Sequence, residues 1–190
     1  MIAAAEIRPG QGRATDAARR VDAAAAVGGG GACELVVLVA GNPARGDDAL
    51  GPLLAERLVA LAIPGLRLVC DFQFQLEHAV ELAGARRALF IDAHRSQRAP
   101  VCLTEIGAAA DCGRASHALT PAEVLAVADR IGEPRPPAWL LSLRGVEFGL
   151  GEALGPSGRL VLASAWGVLR VLIANPSDAA WRAMAARLGR

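Results

Sequence analysis

Two adjacent carboxylates, Asp47 and Asp48, stand in the run Val39-Ala40-Gly41-Asn42-Pro43-Ala44-Arg45-Gly46-Asp47-Asp48-Ala49-Leu50-Gly51. An apolar run, Leu35-Val36-Val37-Leu38, precedes that loop, and a helical pattern follows it. A third acid, Asp92, closes a second apolar run, Arg87-Ala88-Leu89-Phe90-Ile91. A histidine, His117, lies on a long connection between two later elements. In open α/β sheets, ligands settle in the crevice outside the carboxyl ends of the strands. Two carboxylates and one imidazole gathered there suit a borderline divalent metal such as nickel or zinc. The plainer reading is that acids at strand ends cap helices or pair with arginines.

Some of these assignments have rivals. Asp47 competes with Asp48, and either could cap the following helix. His94, two residues past Asp92, competes with His117 as a ligand, while His78 sits within a helical pattern and reads as a surface or core residue. Gly41-x4-Gly46 lacks the Gly-Lys-Ser/Thr of a phosphate loop and is not G-x-G-x-x-G. Ser96, Ser116 and Ser142 are not on a G-x-S-x-G elbow, which speaks against a serine hydrolase. Asp47 and Asp48 are not themselves an aspartic dyad, because such acids come from separate segments, as Asp48 and Asp92 do.

The elements that must carry these residues follow from periodicity. A first strand is expected over 34–40. The next segment is a helix with Leu50, Leu53, Leu54, Leu58 and Leu61 on one face, and Pro52 in its first turn. A strand at Leu66–Cys70 leaves through Asp71, Gln75 to Leu82 is helical by pattern, and a third strand delivers Asp92. Only eight residues, Ala93 to Pro100, precede the strand at 101–106. A parallel crossover needs about a dozen residues or more, so this strand runs antiparallel to the third. The return from Gly107 to Leu119 then brings His117 back to the acid-bearing edge. Thr120-Pro121-Ala122-Glu123 is a capping box with proline at the first helical position. A last strand at Trp139–Leu143, a glycine-rich loop from Gly145 to Gly158, a helix over Leu160–Ile173 and a short amphipathic tail complete the chain. The expectation is a three-layer α/β/α sandwich, with a mostly parallel twisted sheet of about five strands, one of them antiparallel.

The chain's 190 residues fit one domain over 34–190, with residues 1–33, rich in alanine and glycine, read as a disordered extension. A net charge of +1 argues against nucleic acid and an anionic membrane surface. No apolar stretch is expected to reach the roughly 18 residues that span a bilayer. Cys33, Cys70, Cys102 and Cys112 are widely spaced, without C-x-x-C, and read as small core residues in a cytoplasmic protein.

Gly41-Asn42-Pro43-x-x-Gly46-Asp47-Asp48-x-x-Gly51 resembles the N-terminal signature of the [NiFe]-hydrogenase maturation proteases. Leu89-Phe90-Ile91-Asp92-Ala93 is similar to that family's second acidic segment. Ser116-His117-x-Leu119-x-x-x-Glu123-Val124-Leu125 is similar to its histidine segment, and Gly145-Val146-Glu147 to the region before its last helix. The four occur in the family's order over about residues 34–175. The resemblance implies an endopeptidase, conventionally grouped as aspartic-type, that removes the C-terminal extension of the hydrogenase large-subunit precursor after nickel insertion. It implies that Asp48, Asp92 and His117 contact nickel presented by the substrate's own site, with Asp48 and Asp92 catalytic. Gly41, Asn42, Gly46 and Asp47 would shape the loop. A monomer is expected, with the precursor as partner. The alternatives are a non-cleaving nickel-site adaptor and an unrelated metal-dependent hydrolase. Phe72 to His78 departs from the Gly-rich turn of some members, and is expected to shape the surface that selects one hydrogenase.

Overall fold

A computed structural model describes residues 19–22, 33–110 and 118–189. Six strands form one sheet: β1 (Arg19–Asp22), β2 (Leu35–Ala40), β3 (Leu66–Asp71), β4 (Ala88–His94), β5 (Val101–Ile106) and β6 (Ala138–Arg144), in the order β1-β3-β2-β4-β6-β5. The helices are α1 (Leu50–Ala60), α2 (Pro121–Arg130), α3 (Pro156–Ala174) and α4 (Asp178–Leu188), with 3₁₀ turns at Gly46–Ala49 and Leu76–Leu82. β2 is apolar along its whole length because both its faces are covered, as is usual for a central parallel strand. Val37 and Val39 join α1, α3 and α4 in one core, while Val36, Leu38 and Ala40 join α2 and the 76–82 segment in the other. The expected three-layer sandwich is therefore the observed one.

β2, β3, β4 and β6 run parallel. β5 is antiparallel, as its short connection requires, and its hydrogen-bonded neighbour is β6, which lies between β4 and β5. The sheet has one strand more than expected. β1, inside the stretch read as an extension, pairs antiparallel with β3 from Arg19↔Cys70 to Asp22↔Arg67.

Three further expectations meet the structure. Thr120 and Glu123 close the capping box, with the Thr120 N–H donating to Glu123 Oε2 at 2.7 Å. The 76–82 segment is helical but 3₁₀, and the Gln75 N–H donates to His78 Nδ1 at 3.1 Å at its start. α3, at 19 residues, is long and apolar enough to cross a bilayer by length and composition, which corrects the expectation that no stretch is. The expected span began at Leu160, whereas the helix starts a turn earlier at Pro156. Val161, Leu162, Ala165, Leu169 and Leu172 of this helix are buried in the core it shares with the sheet.

Candidate functional site

β2 is followed by β3 on one side, and the chain then crosses β2 to reach β4 on the other. The carboxyl ends of β2 and β4 therefore flank a topological switch point, the usual crevice of an open α/β sheet. The loop after β2 begins at Gly41, with φ +145°, where a Cβ would stand 2.2 Å from the Asp48 carbonyl oxygen. Only glycine allows the chain to turn over its own later segment this closely. The Asn42 N–H donates to Asp48 Oδ2 at 3.0 Å, and Asn42 Oδ1 accepts the Ala44 N–H at 2.9 Å. That is the one hydrogen bond to the Asp48 carboxylate among the described residues, and this side chain is only half-buried.

Asp47 has a different environment. It is 1% exposed, and its Oδ2 accepts the Val146 N–H at 2.7 Å and the Glu147 N–H at 3.2 Å. Neither aspartate caps α1: both lie inside the 3₁₀ turn, and no side-chain cap bond is made at the start of that turn or of α1. The adjacent acids thus divide, one facing the crevice and the other tied to the Gly145–Gly155 loop.

Asp92 stands on β4 one residue beyond the Val39↔Ile91 pairing, beside the end of β2 and opposite Ser142 of β6. Burial raises its carboxyl from the ordinary 3.8 to about 6. The Asp48 charge adds to the rise, while the Ala93 N–H and His94 oppose it. The two acids thus share one electrostatic environment. His94 is exposed, and its Nδ1 is 3.0 Å from Ser96 Oγ. His117 lies outside the described residues. The end of its connection does reach this edge, where the Leu119 N–H donates to the Phe74 carbonyl at 3.0 Å.

Asp71 was not among the expected site residues, and His78, read as a surface or core residue, is buried. Asp71 ends β3, and its Oδ2 accepts Gln75 Nε2 at 3.0 Å and lies 3.7 Å from Nε2 of the buried His78. The signal was available, since Asp71 follows an apolar strand just as Asp92 does. A cavity of about 590 Å³ lies at the opposite, amino-terminal edge, lined by Glu34, Gly65, Arg87, Ser177 and Asp178 among others, away from these acids.

Chemically, the edge offers a carboxyl that exchanges its proton near neutral pH beside a second carboxylate. A pair so arranged can take a proton from water or offer hard oxygens to a divalent ion. Among the described residues, no group of three His, Cys, Asp or Glu side chains could hold a metal.

No protein-family model matches this chain, and no curated protein does. Solved structures do. The [NiFe] hydrogenase maturation protease HycI from Thermococcus kodakarensis KOD1 aligns with a TM-score of 0.58 at 20% identity, over 77% of this chain and 96% of that one. The hydrogenase maturating endopeptidase HybD from E. coli aligns with a TM-score of 0.56 at 19% identity, over 73% and 91%. A hydrogenase 2 maturation peptidase from a Thaumarchaeota archaeon aligns with a TM-score of 0.53 at 16% identity, over 74% and 97%. At these identities the likeness establishes a shared α/β fold.

Proposed function

We propose that this protein is the endopeptidase that removes the C-terminal extension of a [NiFe]-hydrogenase large-subunit precursor once nickel has been inserted. The observation that most supports this is that Asp48 and Asp92, the acids its motifs single out, face one crevice, where the Asp48 charge helps raise the Asp92 carboxyl, in the fold of proteins named for that activity. Nickel enters on this reading as part of the substrate. Asp48, Asp92 and His117 would read it: two carboxylates and an imidazole hold nickel less tightly than thiolates do, so the metal can be sampled without being kept.

For the cut, Asp92 is the residue with a suitable pKa. A carboxyl at about 6 is largely ionised at neutral pH yet basic enough to accept a proton from an attacking water. The water oxygen bonds to the scissile carbonyl carbon, Asp92 takes the proton, and the same proton passes to the departing amine nitrogen. Asp48, held by the Asn42 N–H, faces that exchange as the second acid of an aspartic-type pair. On this reading the enzyme works in the cytoplasm as a monomer.

Incubating the purified protein with nickel-loaded precursor tests the reading. The precursor is expected to lose a mass equal to its C-terminal tail. Unchanged mass, with a stable complex formed, would make the protein an adaptor. Asp48→Ala and His117→Ala are expected to fold normally and to abolish tail removal. Normal processing by both variants would refute the site.

A further inference from the structure

The Asp47 carboxylate sits in a cradle of glycines. A Cβ at Gly158, in the first turn of α3, would lie 2.3 Å from Asp47 Oδ1, and one at Gly145 would lie 3.3 Å from Asp47 Cβ. A Cβ at Gly46, with φ +55°, would lie 2.7 Å from the Glu147 carbonyl oxygen. Side chains are thus missing where one would push Asp47 or its partner loop away.

Around Asp47 the loops after β2 and β6 are joined by backbone as well. The Asp47 N–H donates to the Glu147 carbonyl at 2.7 Å, the Gly46 N–H to Glu152 at 2.9 Å, and the Gly151 N–H to Ala44 at 2.7 Å. Arg45 Nη2 reaches the Phe148 carbonyl at 3.5 Å, and the Arg95 guanidinium stands 4.4 Å from the Phe148 ring centre. The loop after β6 therefore straps the loops after both acid-bearing strands, and Asp47 is the buried side chain at the centre of the strap.

We propose that Asp47 is a positioning residue: by tying Val146 and Glu147 across the loop after β2, its carboxylate sets where the neighbouring Asp48 stands in the crevice. Its effect on processing rests on the function proposed above, while its effect on the loops does not. The Asn42 N–H, bonded to Asp48 Oδ2, reports on the position of Asp48; the Val146 and Glu147 amides report on the strap itself.

The test uses the full chain with Asp47→Ala, Asp47→Asn and Gly158→Ala. Asn keeps an oxygen acceptor in the same place. Gly158→Ala leaves Asp47 intact but puts a methyl where its carboxylate lies, in a helix where alanine is otherwise the better residue. In Asp47→Ala and Gly158→Ala, hydrogen exchange at Val146, Glu147 and Asn42 is expected to quicken about tenfold or more, while amides at the centre of β2 and β4 keep their protection. On nickel-loaded precursor, kcat is expected to fall about a hundredfold, as for a misplaced reacting group, with KM little changed. Asp47→Asn is expected to stay near wild type in both measurements. An unchanged Asn42 amide alongside altered Val146 and Glu147 amides would show a purely structural strap and overturn the proposal. So would an Asn variant as impaired as the Ala variant. If Asp47→Ala does not fold, the other two variants decide. A wild-type protein that leaves the precursor whole would sink the proposed function, while the amide measurements would still judge the strap.

Discussion

Asp92 is the residue whose chemistry is most exposed to test. Its folded carboxyl titrates at about 6 rather than 3.8, so between these pH values the folded protein holds a proton that the unfolded chain has released. Stability therefore falls as pH rises through that window and is level above it. Asp92→Asn removes the charge that burial disfavours. It is expected to stabilise the protein at pH 7.5 by on the order of 1–3 kcal/mol, with the difference vanishing below about pH 4. Urea unfolding at the two pH values measures this, and equal midpoints for variant and wild type at pH 7.5 would contradict it. The same titration predicts that kcat/KM of the free enzyme drops about tenfold per pH unit below about 6 if the ionised carboxylate does the work. At this scale the sequence was informative about which acids matter but less so about how they differ. Asp47 and Asp48 are identical in type and adjacent. The resemblance alone assigned them different roles; in the structure Asp47 is 1% exposed and accepts the Val146 and Glu147 amides, whereas Asp48 is half-buried and accepts only the Asn42 amide among the described residues.

Elements were legible where local chemistry alone decides them. The Thr120 capping box needs nothing from the rest of the chain, and Thr120→Ala is expected to cost about 1 kcal/mol, readable as a lowered urea midpoint. α1 follows from its leucine spacing, yet its close approach to β2 does not. Gly51 has its would-be Cβ 2.8 Å from both the Ala40 carbonyl oxygen and Val39 Cγ1, a contact that depends on how helix and strand cross. Gly51→Ala is therefore expected to cost roughly 1–3 kcal/mol despite alanine's helix preference, because the helix carrying Asp48's loop must shift. β1 was not legible, because its partner β3 is about fifty residues away and its own residues carry no alternating pattern. The 76–82 segment was legible as helical, but its polar role was hidden in the separation between Asp71 and His78. The neighbouring Phe72 and Leu76 are 49% and 59% exposed at the same edge, two large apolar side chains open to solvent side by side with the acids. Replacing both with serine is expected to raise KM for the precursor by about tenfold or more and leave the unfolding midpoint in place. An unchanged KM would remove this segment from substrate selection.

Across the whole molecule, the two ends of the sheet are built differently. The carboxyl ends of β2, β3 and β4 lead to Asp48, Asp71 and Asp92, whereas α4 packs near the amino-terminal edge and lines the cavity there. There Trp181 is 1% exposed, its Nε1 donates to the Leu172 and Asn175 carbonyls at 3.1 and 2.9 Å, and its ring lies 5.7 Å from that of Trp139. Arg87, just before β4, pairs with Asp178 and stands 4.9 Å over the Trp181 ring. A buried tryptophan with both packing and hydrogen bonds contributes heavily, so Trp181→Ala is expected to cost about 3–5 kcal/mol. That is a large share of the roughly 5–15 kcal/mol that holds a domain together. The lesion lies at the end of β4 away from Asp92, and the strap around Asp47 makes no use of α4. Well below its lowered melting temperature, the variant is therefore expected to process precursor at the wild-type kcat and KM. Measured side by side, Trp181→Ala should lose stability and keep activity, whereas Asp48→Ala should keep stability and lose activity. If Trp181→Ala instead loses kcat in proportion to its stability while still fully folded, the two edges are mechanically coupled, and the separation argued from the sheet's geometry fails.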